Sequence, residues 1–179
     1  MNLMTTKHLS PEEMLPSQHL LPALKYDYSA LEPGISARTM HLHHDVHHRA
    51  YVEKLNAALA GVDELRDVSA LWLLCNLDKV PEKIREAVHH NAGGHVNHSL
   101  FWRAMRPGPI AQPAGVLREA IERDFGDFES FQAAFDKAGA ALFGSGWVWL
   151  VRNLQNDDRL EVTTTAGHDH PMMQDCYHC

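Results

Sequence analysis

Apolar positions recur every three or four residues in two long stretches of the chain, which is the spacing of one helical face. In residues 36–61, a stripe shared by Met40, His43, His47, Tyr51 and Leu55 predicts one long helix. Residues 81–105 form the second stretch, with a proline near the first turn and RPGP beyond its end. A short helical piece, SALWLLCNL, lies between them. The pattern therefore predicts an antiparallel helical hairpin.

The pattern changes after RPGPIAQPAG, which is rich in proline and glycine and predicts a domain boundary. Residues 115–125 and 127–143 read as two helices, the second with Asp127 as its N-cap. GWVWLVRNLQ and LEVTTTA, either side of the turn NDD, predict a hairpin of two strands. We therefore predict an α+β fold, with a long α-helical hairpin domain over 19–106 and an α/β domain with antiparallel strands over 113–179.

The remaining composition narrows the class of protein. The polar, proline-bearing residues 1–18 show no period and predict a mobile leader. A net charge of -7, from 16 basic and 23 acidic residues, argues against nucleic acid or an anionic membrane as a partner. Three cysteines with no framework spacing favour a reducing compartment. Without a signal-peptide pattern or a long apolar run, we expect a cytoplasmic protein.

The 14 histidines are the unusual feature, because they cluster at 41–48, 89–98 and 168–178. On an ideal helix, His47 and Tyr51 lie within about 80° of His43, so the three share one side. His44 and His48 fall outside that stripe and are expected to face solvent or the rim. Two opposed helices would bring His43 to His98. Spacing alone leaves open a two-helix metal site or a set of hydrogen-bonded core histidines.

Four separated segments resemble a known family. They are LPALKYDYSALEP, TMHLHHDVHHRAY and HNAGGHVNHSLFW in the first predicted domain, and FGSGWVWLV at the first predicted strand. From about His19 to Pro171, the chain resembles the iron/manganese superoxide dismutases. The resemblance implies an enzyme that converts superoxide to oxygen and hydrogen peroxide at a redox-active manganese or iron ion.

The resemblance also implies a role for particular residues. His43 and His98 would be metal ligands, His47 and Tyr51 would be the gateway pair at the mouth of the site, and His168 would orient the metal-bound solvent. A tyrosine and a histidine at such a mouth can organise water for proton delivery.

Further positions complete the implied site. Three tryptophans would wall the pocket, namely Trp102, Trp147 and Trp149. Ser145 would lie at a contact between subunits of a homodimer. The pair Gly93–Gly94 favours manganese over iron. Val46 stands where many family members place a lysine, which removes a positive charge that could steer superoxide.

One departure from the family bears on all of this. The family completes its ligand set with an aspartate and a histidine from a D-x-W-E-H-A segment, which this sequence does not contain. We therefore expect a truncated second domain that lacks its last strand and helix, leaves an exposed edge on the second strand and weakens the dimer. Asp175 and His178 are spaced one residue too close to replace the missing pair.

Two alternatives follow from the missing ligands. The chain is then a catalytically impaired fragment, or a non-redox, histidine-rich metal-binding protein that holds zinc or another divalent ion through His43 and His98. The tail CYHC, with Cys176, His178 and Cys179, offers further zinc ligands, or else it is a disordered end.

Overall fold

The computed structural model describes residues 19–109 and 112–174, and the backbone of 177–178. The predicted leader over 1–18 lies outside these residues, as do Asp175, Cys176 and Cys179. The described helices are α1 (Ala37–His41), α2 (Arg49–Leu59), α3 (Ala70–Cys75), α4 (Glu82–Ala104), α5 (Gly115–Phe125) and α6 (Phe128–Ala141). The strands are β1 (Gly146–Asn153), β2 (Arg159–Ala166) and β3 (Tyr177–His178). No helix of the described chain is long and apolar enough to cross a membrane.

The first domain is a helical hairpin, in which α2 and α3 both pack on α4. Leu55, Leu73 and Val88 are completely buried in its core. The side chain of Ser36 begins the first helix by accepting a hydrogen bond from the Thr39 amide at 3.1 Å. The long helices predicted from the apolar spacing are therefore present.

The helix between α1 and α2 is continuous but not uniform, because Leu42–His48 form a π-helix, called here the π segment. Its i→i+5 turns hold more residues than α turns, so each residue advances by less than 100°. The buried stripe consequently shifts around the helix. His44 is 4% exposed and His48 is fully buried, so the expectation that they face solvent is wrong, while His47 lies on the exposed side.

The second domain packs α5 and α6 on a small antiparallel sheet. Asp127 caps α6 as predicted, since its carboxylate accepts a hydrogen bond from the Ser130 amide at 2.7 Å. Strands β1 and β2 pair along their full length, from Gly146 opposite Ala166 to Asn153 opposite Arg159. The predicted hairpin is confirmed.

The end of the described chain differs from the expectation. We expected no strand after β2, but β3 adds two residues to the sheet. The strand order is β2-β1-β3, with Arg152 opposite His178 and Asn153 opposite Tyr177. The third strand thus pairs with the free edge of β1. The expectation that a third strand would cover an edge of β2 is wrong.

The two domains meet where the loop after β2 lies against α4. The Asn97 side-chain amide donates to the carbonyl oxygens of His168 at 3.4 Å and Asp169 at 3.1 Å. The Asp169 carboxylate also lies 2.7 Å from Nε2 of His89. These contacts hold the loop against α4, so that His168 of the second domain lies next to the histidines of the first.

Candidate metal centre

The centre of the site is a pair of histidines from the two long helices. His43 comes from the π segment and His98 from α4, and their Nε2 atoms lie 3.0 Å apart. The Nδ1 of His98 donates to the Gly94 carbonyl one turn earlier, at 2.6 Å. This bond fixes the tautomer of His98 and leaves the Nε2 lone pair directed toward His43. The predicted meeting of these two residues is confirmed.

His47 joins this pair from the exposed side. The ligand atoms of His43, His47 and His98 all lie within 4.8 Å of one another. Among the described residues, no other group of three or more histidine, cysteine or carboxylate side chains comes together in this way. The group contains no carboxylate, so the described residues supply imidazole nitrogens alone to a cation held there.

A second polar pair lies at the domain junction, where Tyr51 meets His168. The Tyr51 hydroxyl is 2.7 Å from Nε2 of His168, and the rings of Tyr51 and His98 are 5.4 Å apart. The His90 ring also lies against His168, tilted by 39° with centroids 3.8 Å apart. The loop histidine therefore contacts both a tyrosine of α2 and a histidine of α4.

Two adjacent glycines of α4 make room for this junction. A Cβ atom on Gly93 would lie 2.0 Å from the His168 carbonyl oxygen, and one on Gly94 would lie 2.5 Å from the Tyr51 ring. Both distances are far below van der Waals contact. Side chains at either position would push the domain junction or the tyrosine away from the histidines.

Behind the site, a buried chain of hydrogen bonds holds His48. The Trp102 indole N–H donates to Nδ1 of His48 at 2.9 Å, so Nε2 of His48 carries the proton. That nitrogen lies 2.8 Å from Nδ1 of His95 and donates to it. The chain ties the π segment, which also carries His43, to α4.

Two of the three predicted tryptophans lie directly against the histidine pair. The Trp102 ring is 5.0 Å from the His43 ring, and the Trp147 ring is 5.0 Å from the His98 ring, between centroids. Trp149 stands behind Trp147 at 5.9 Å and donates its indole N–H to the Thr165 hydroxyl. Two tryptophans therefore border the pair directly, and the third supports them.

Burial keeps the histidine pair uncharged at neutral pH. Burial lowers the pKa of His98 to about 4, even though its bond to the Gly94 carbonyl opposes the shift. Burial also lowers the pKa of His43, and the adjacent His47 adds to that effect. Burial raises the pKa of Tyr51, which favours its neutral hydroxyl. Neutral imidazoles offer the lone pairs that a cation requires.

Comparison with known proteins places the chain in a family. Residues 18–106 match the iron/manganese superoxide dismutase α-hairpin domain, and residues 113–178 match the C-terminal domain of the same proteins. The chain belongs to the iron/manganese superoxide dismutase family. The residues between the two matched ranges, 107–112, lie in the proline-rich segment after α4.

Two curated superoxide dismutases are identical to this chain at about half of the aligned residues. Superoxide dismutase [Mn] 3 of Leptolyngbya boryana is 48% identical over 157 residues, which cover 88% of this chain and 65% of that protein. The superoxide dismutase [Mn] of Listeria monocytogenes is 50% identical over 152 residues, covering 85% and 74%. The chain thus spans less than two thirds of the Leptolyngbya relative and about three quarters of the Listeria one.

Two contacts of this dismutase-family site were not predicted from the sequence. One is the ring contact of His90 with His168, and the other is the hydrogen-bonded chain through His48 and His95. A signal for the first was present, because His90, Gly94 and His98 recur every four residues on one face of α4. The second had no such signal, because the π segment changed the face on which His48 lies.

Proposed function

We propose that this chain takes part in superoxide dismutation, in which one superoxide is oxidised to oxygen and a second takes up an electron and two protons to give hydrogen peroxide. The observation that carries the proposal is the 3.0 Å approach of the His43 and His98 Nε2 atoms from two helices. Two nitrogens that share a metal about 2.1 Å away, at a right angle, lie about 3.0 Å apart. Membership of the iron/manganese superoxide dismutase family also supports a metal ion between these two histidines.

His43 and His98 would hold manganese or iron, which are ions that imidazole ligands suit in combination with oxygen ligands. When bound, such an ion would take an electron from one superoxide and return it to the next. The two imidazoles fit half of the ligand set that the family resemblance implies. Because no carboxylate joins the cluster within the described residues, groups outside those residues would supply the remaining ligands.

Tyr51, His168 and His47 would organise the protons. The Tyr51 hydroxyl and the His168 ring share a hydrogen bond of 2.7 Å, so each limits the orientation of the other. Burial lowers the pKa of His168, with the nearby His90 ring contributing, and a neutral His168 can accept as well as donate. His47, on the exposed side, connects this pair with solvent.

The tryptophans would limit the size and the water content of the pocket. Trp102 is buried and its indole is committed to His48, so it is a fixed wall next to His43. Trp147 borders His98 on the other side, and Trp149 supports it. A small, partly dry site strengthens the interaction between a cation and a small anion such as superoxide.

The same proposal includes an assembly and a location. Ser145 lies two residues after Phe143, whose side chain is 98% exposed, and we place a homodimer contact at this turn. Burying such a ring against a second copy would remove apolar surface from water. We place the protein in the cytoplasm, because its three cysteines lack the spacing of a disulfide framework and suit a reducing compartment.

The test is metal content and dismutation measured on the same preparation of the full chain, produced with manganese or iron supplied. His98→Ala removes one proposed ligand. His41→Ala is the matched control, because His41 also lies in the first long helix but is exposed and outside the cluster. We expect near-stoichiometric metal and activity in the wild type and the control, and loss of both in His98→Ala.

Two results would count against the proposal. One is a folded, metal-loaded chain without dismutation, which would leave a metal-binding protein of the family without its redox chemistry. The other is equal activity in His98→Ala and the wild type, which would place the reaction elsewhere in the chain.

A further inference from the structure

Three imidazole rings of the helical hairpin, and not two, have a nitrogen within 4.8 Å of one another. His43 and His47 are four residues apart on the π segment, and His98 faces them from α4. A spacing of four residues on a helix places two histidines on one face, which is how H-E-x-x-H zinc sites present their first two ligands. A third histidine from a neighbouring helix completes a set of three.

The distances suit a shared ion. Two nitrogens bound to a tetrahedral zinc lie about 3.4 Å apart, given bonds of about 2.0–2.1 Å. The His43 and His98 Nε2 atoms already lie at 3.0 Å, and the whole group spans at most 4.8 Å. His47 is exposed, so its ring can close the remaining gap by rotation without disturbing the core.

The surroundings prepare these rings for ligation, and no carboxylate of the described residues joins the three-histidine group. His98 is oriented by its bond to the Gly94 carbonyl, as metal-bound histidines usually are by a backbone acceptor. The nearest carboxylate in sequence, Asp45, is held by Tyr28 at 2.8 Å and by His41 and His44. Its oxygens are therefore committed on another side of the helix.

Such a donor set has its own metal preference. Imidazole suits zinc, copper, iron and nickel, whereas manganese is better matched by carboxylate, carbonyl and water ligands. Three histidines with an open fourth position are also the ligand set of one class of catalytic zinc site. All-imidazole ligation thus favours ions such as zinc over manganese.

We propose that His43, His47 and His98 form a three-imidazole site for a divalent cation of the zinc class, with a fourth position open to water. In this state His47 is a ligand and not a proton-organising group at the mouth. The site shares two histidines with the proposed dismutation but does not depend on that activity.

The test uses cobalt(II) as a spectroscopic substitute for zinc. The full chain is titrated with cobalt(II), and its visible absorption and dissociation constant are recorded for the wild type, His47→Ala and the matched control His41→Ala. Four-coordinate cobalt absorbs far more strongly than six-coordinate cobalt, so the spectrum reports the ligands directly.

We expect one cobalt per chain with an intense, four-coordinate spectrum in the wild type and in His41→Ala. His47→Ala should lose that intensity and bind at least about tenfold more weakly, a loss that even an outer partner of a metal ligand can cause. Free imidazole should restore the spectrum, because it fills the position left by the missing ring. An unchanged spectrum in His47→Ala would overturn the proposal.

The cysteines of the tail require their own control. A Cys176→Ser/Cys179→Ser variant should keep the cobalt spectrum and affinity of the wild type. A near-ultraviolet thiolate charge-transfer band that disappears in this variant, together with the visible spectrum, would show that the tail holds the ion and would overturn the proposal.

The outcome is separable from that of the proposed dismutation. Zinc or cobalt binding that depends on His47, in a chain without activity in any metal form, would support the three-imidazole site and reject dismutation. Dismutation with manganese, together with cobalt binding that is indifferent to His47, would support the enzyme and reject the three-imidazole site.

Discussion

Replacing Gly93 by alanine tests whether the close contact between α4 and the loop after β2 controls stability. The added Cβ would lie 2.0 Å from the His168 carbonyl oxygen, so the loop backbone must retreat by about 1.4 Å to reach ordinary contact. Overpacking of this kind costs about 1–3 kcal/mol. Alanine gains about 0.5–1 kcal/mol over glycine within a helix, so we expect a net loss of about 1–2 kcal/mol.

The matched control is Gly139→Ala in α6. There the new Cβ would meet Cγ2 of Val148 at 3.5 Å, which is ordinary contact, so only the helix propensity changes. We expect this variant to gain about 0.5–1 kcal/mol. Urea unfolding of the metal-free chains, with midpoints compared at equal slopes, measures both changes. If Gly93→Ala proves as stable as Gly139→Ala, the packing argument at the domain junction fails.

Three further predictions follow from single contacts. Tyr51→Phe removes the hydroxyl bonded to His168 and should lower dismutation, whereas Tyr26→Phe, which breaks a comparable 2.9 Å bond to a backbone carbonyl, should leave activity intact at a similar stability cost of about 1 kcal/mol. Asp127→Ala should lower the free energy of unfolding by about 1 kcal/mol through the lost cap of α6, and equal urea midpoints would contradict this. Acid should destabilise the metal-free chain. Burial lowers the pKa of His170 from 6.5 to about 4, so below pH 6.5 the unfolded chain binds more protons and stability declines as the pH falls toward 4. Constant urea midpoints between pH 7 and 4 would refute this.

Much of the fold was predictable because its signals are local. The helix positions, the Asp127 cap and the strand hairpin follow from apolar spacing, cap chemistry and β-branched residues. The meeting of His43 and His98 was also predicted, because each lies on the expected facing side of one of two opposed helices.

The rest depended on geometry that a uniform helix does not contain. The burial of His44 and His48 could not be obtained with 100° steps, because the π segment changes the rotation per residue. The ring contact of His90 with His168 joins residues 78 positions apart across two domains, and the absence of side chains at Gly93 and Gly94 makes room for it. Packing at a domain junction leaves little trace in local sequence patterns.

Because of the π segment, the number of residues in this helix decides how His43 and Tyr51 lie relative to each other. Deleting one residue from 42–48 would allow ordinary α geometry, which is the more regular backbone. A π turn holds about one residue more than an α turn, so removing one residue would leave the helix on either side near its present orientation. Removing a second residue from the same stretch would instead turn one part by about 100° and move it by about 1.5 Å relative to the other, which would separate His43 from Tyr51. Among descendants of the same ancestor, we therefore expect this stretch to have its present length or one residue fewer.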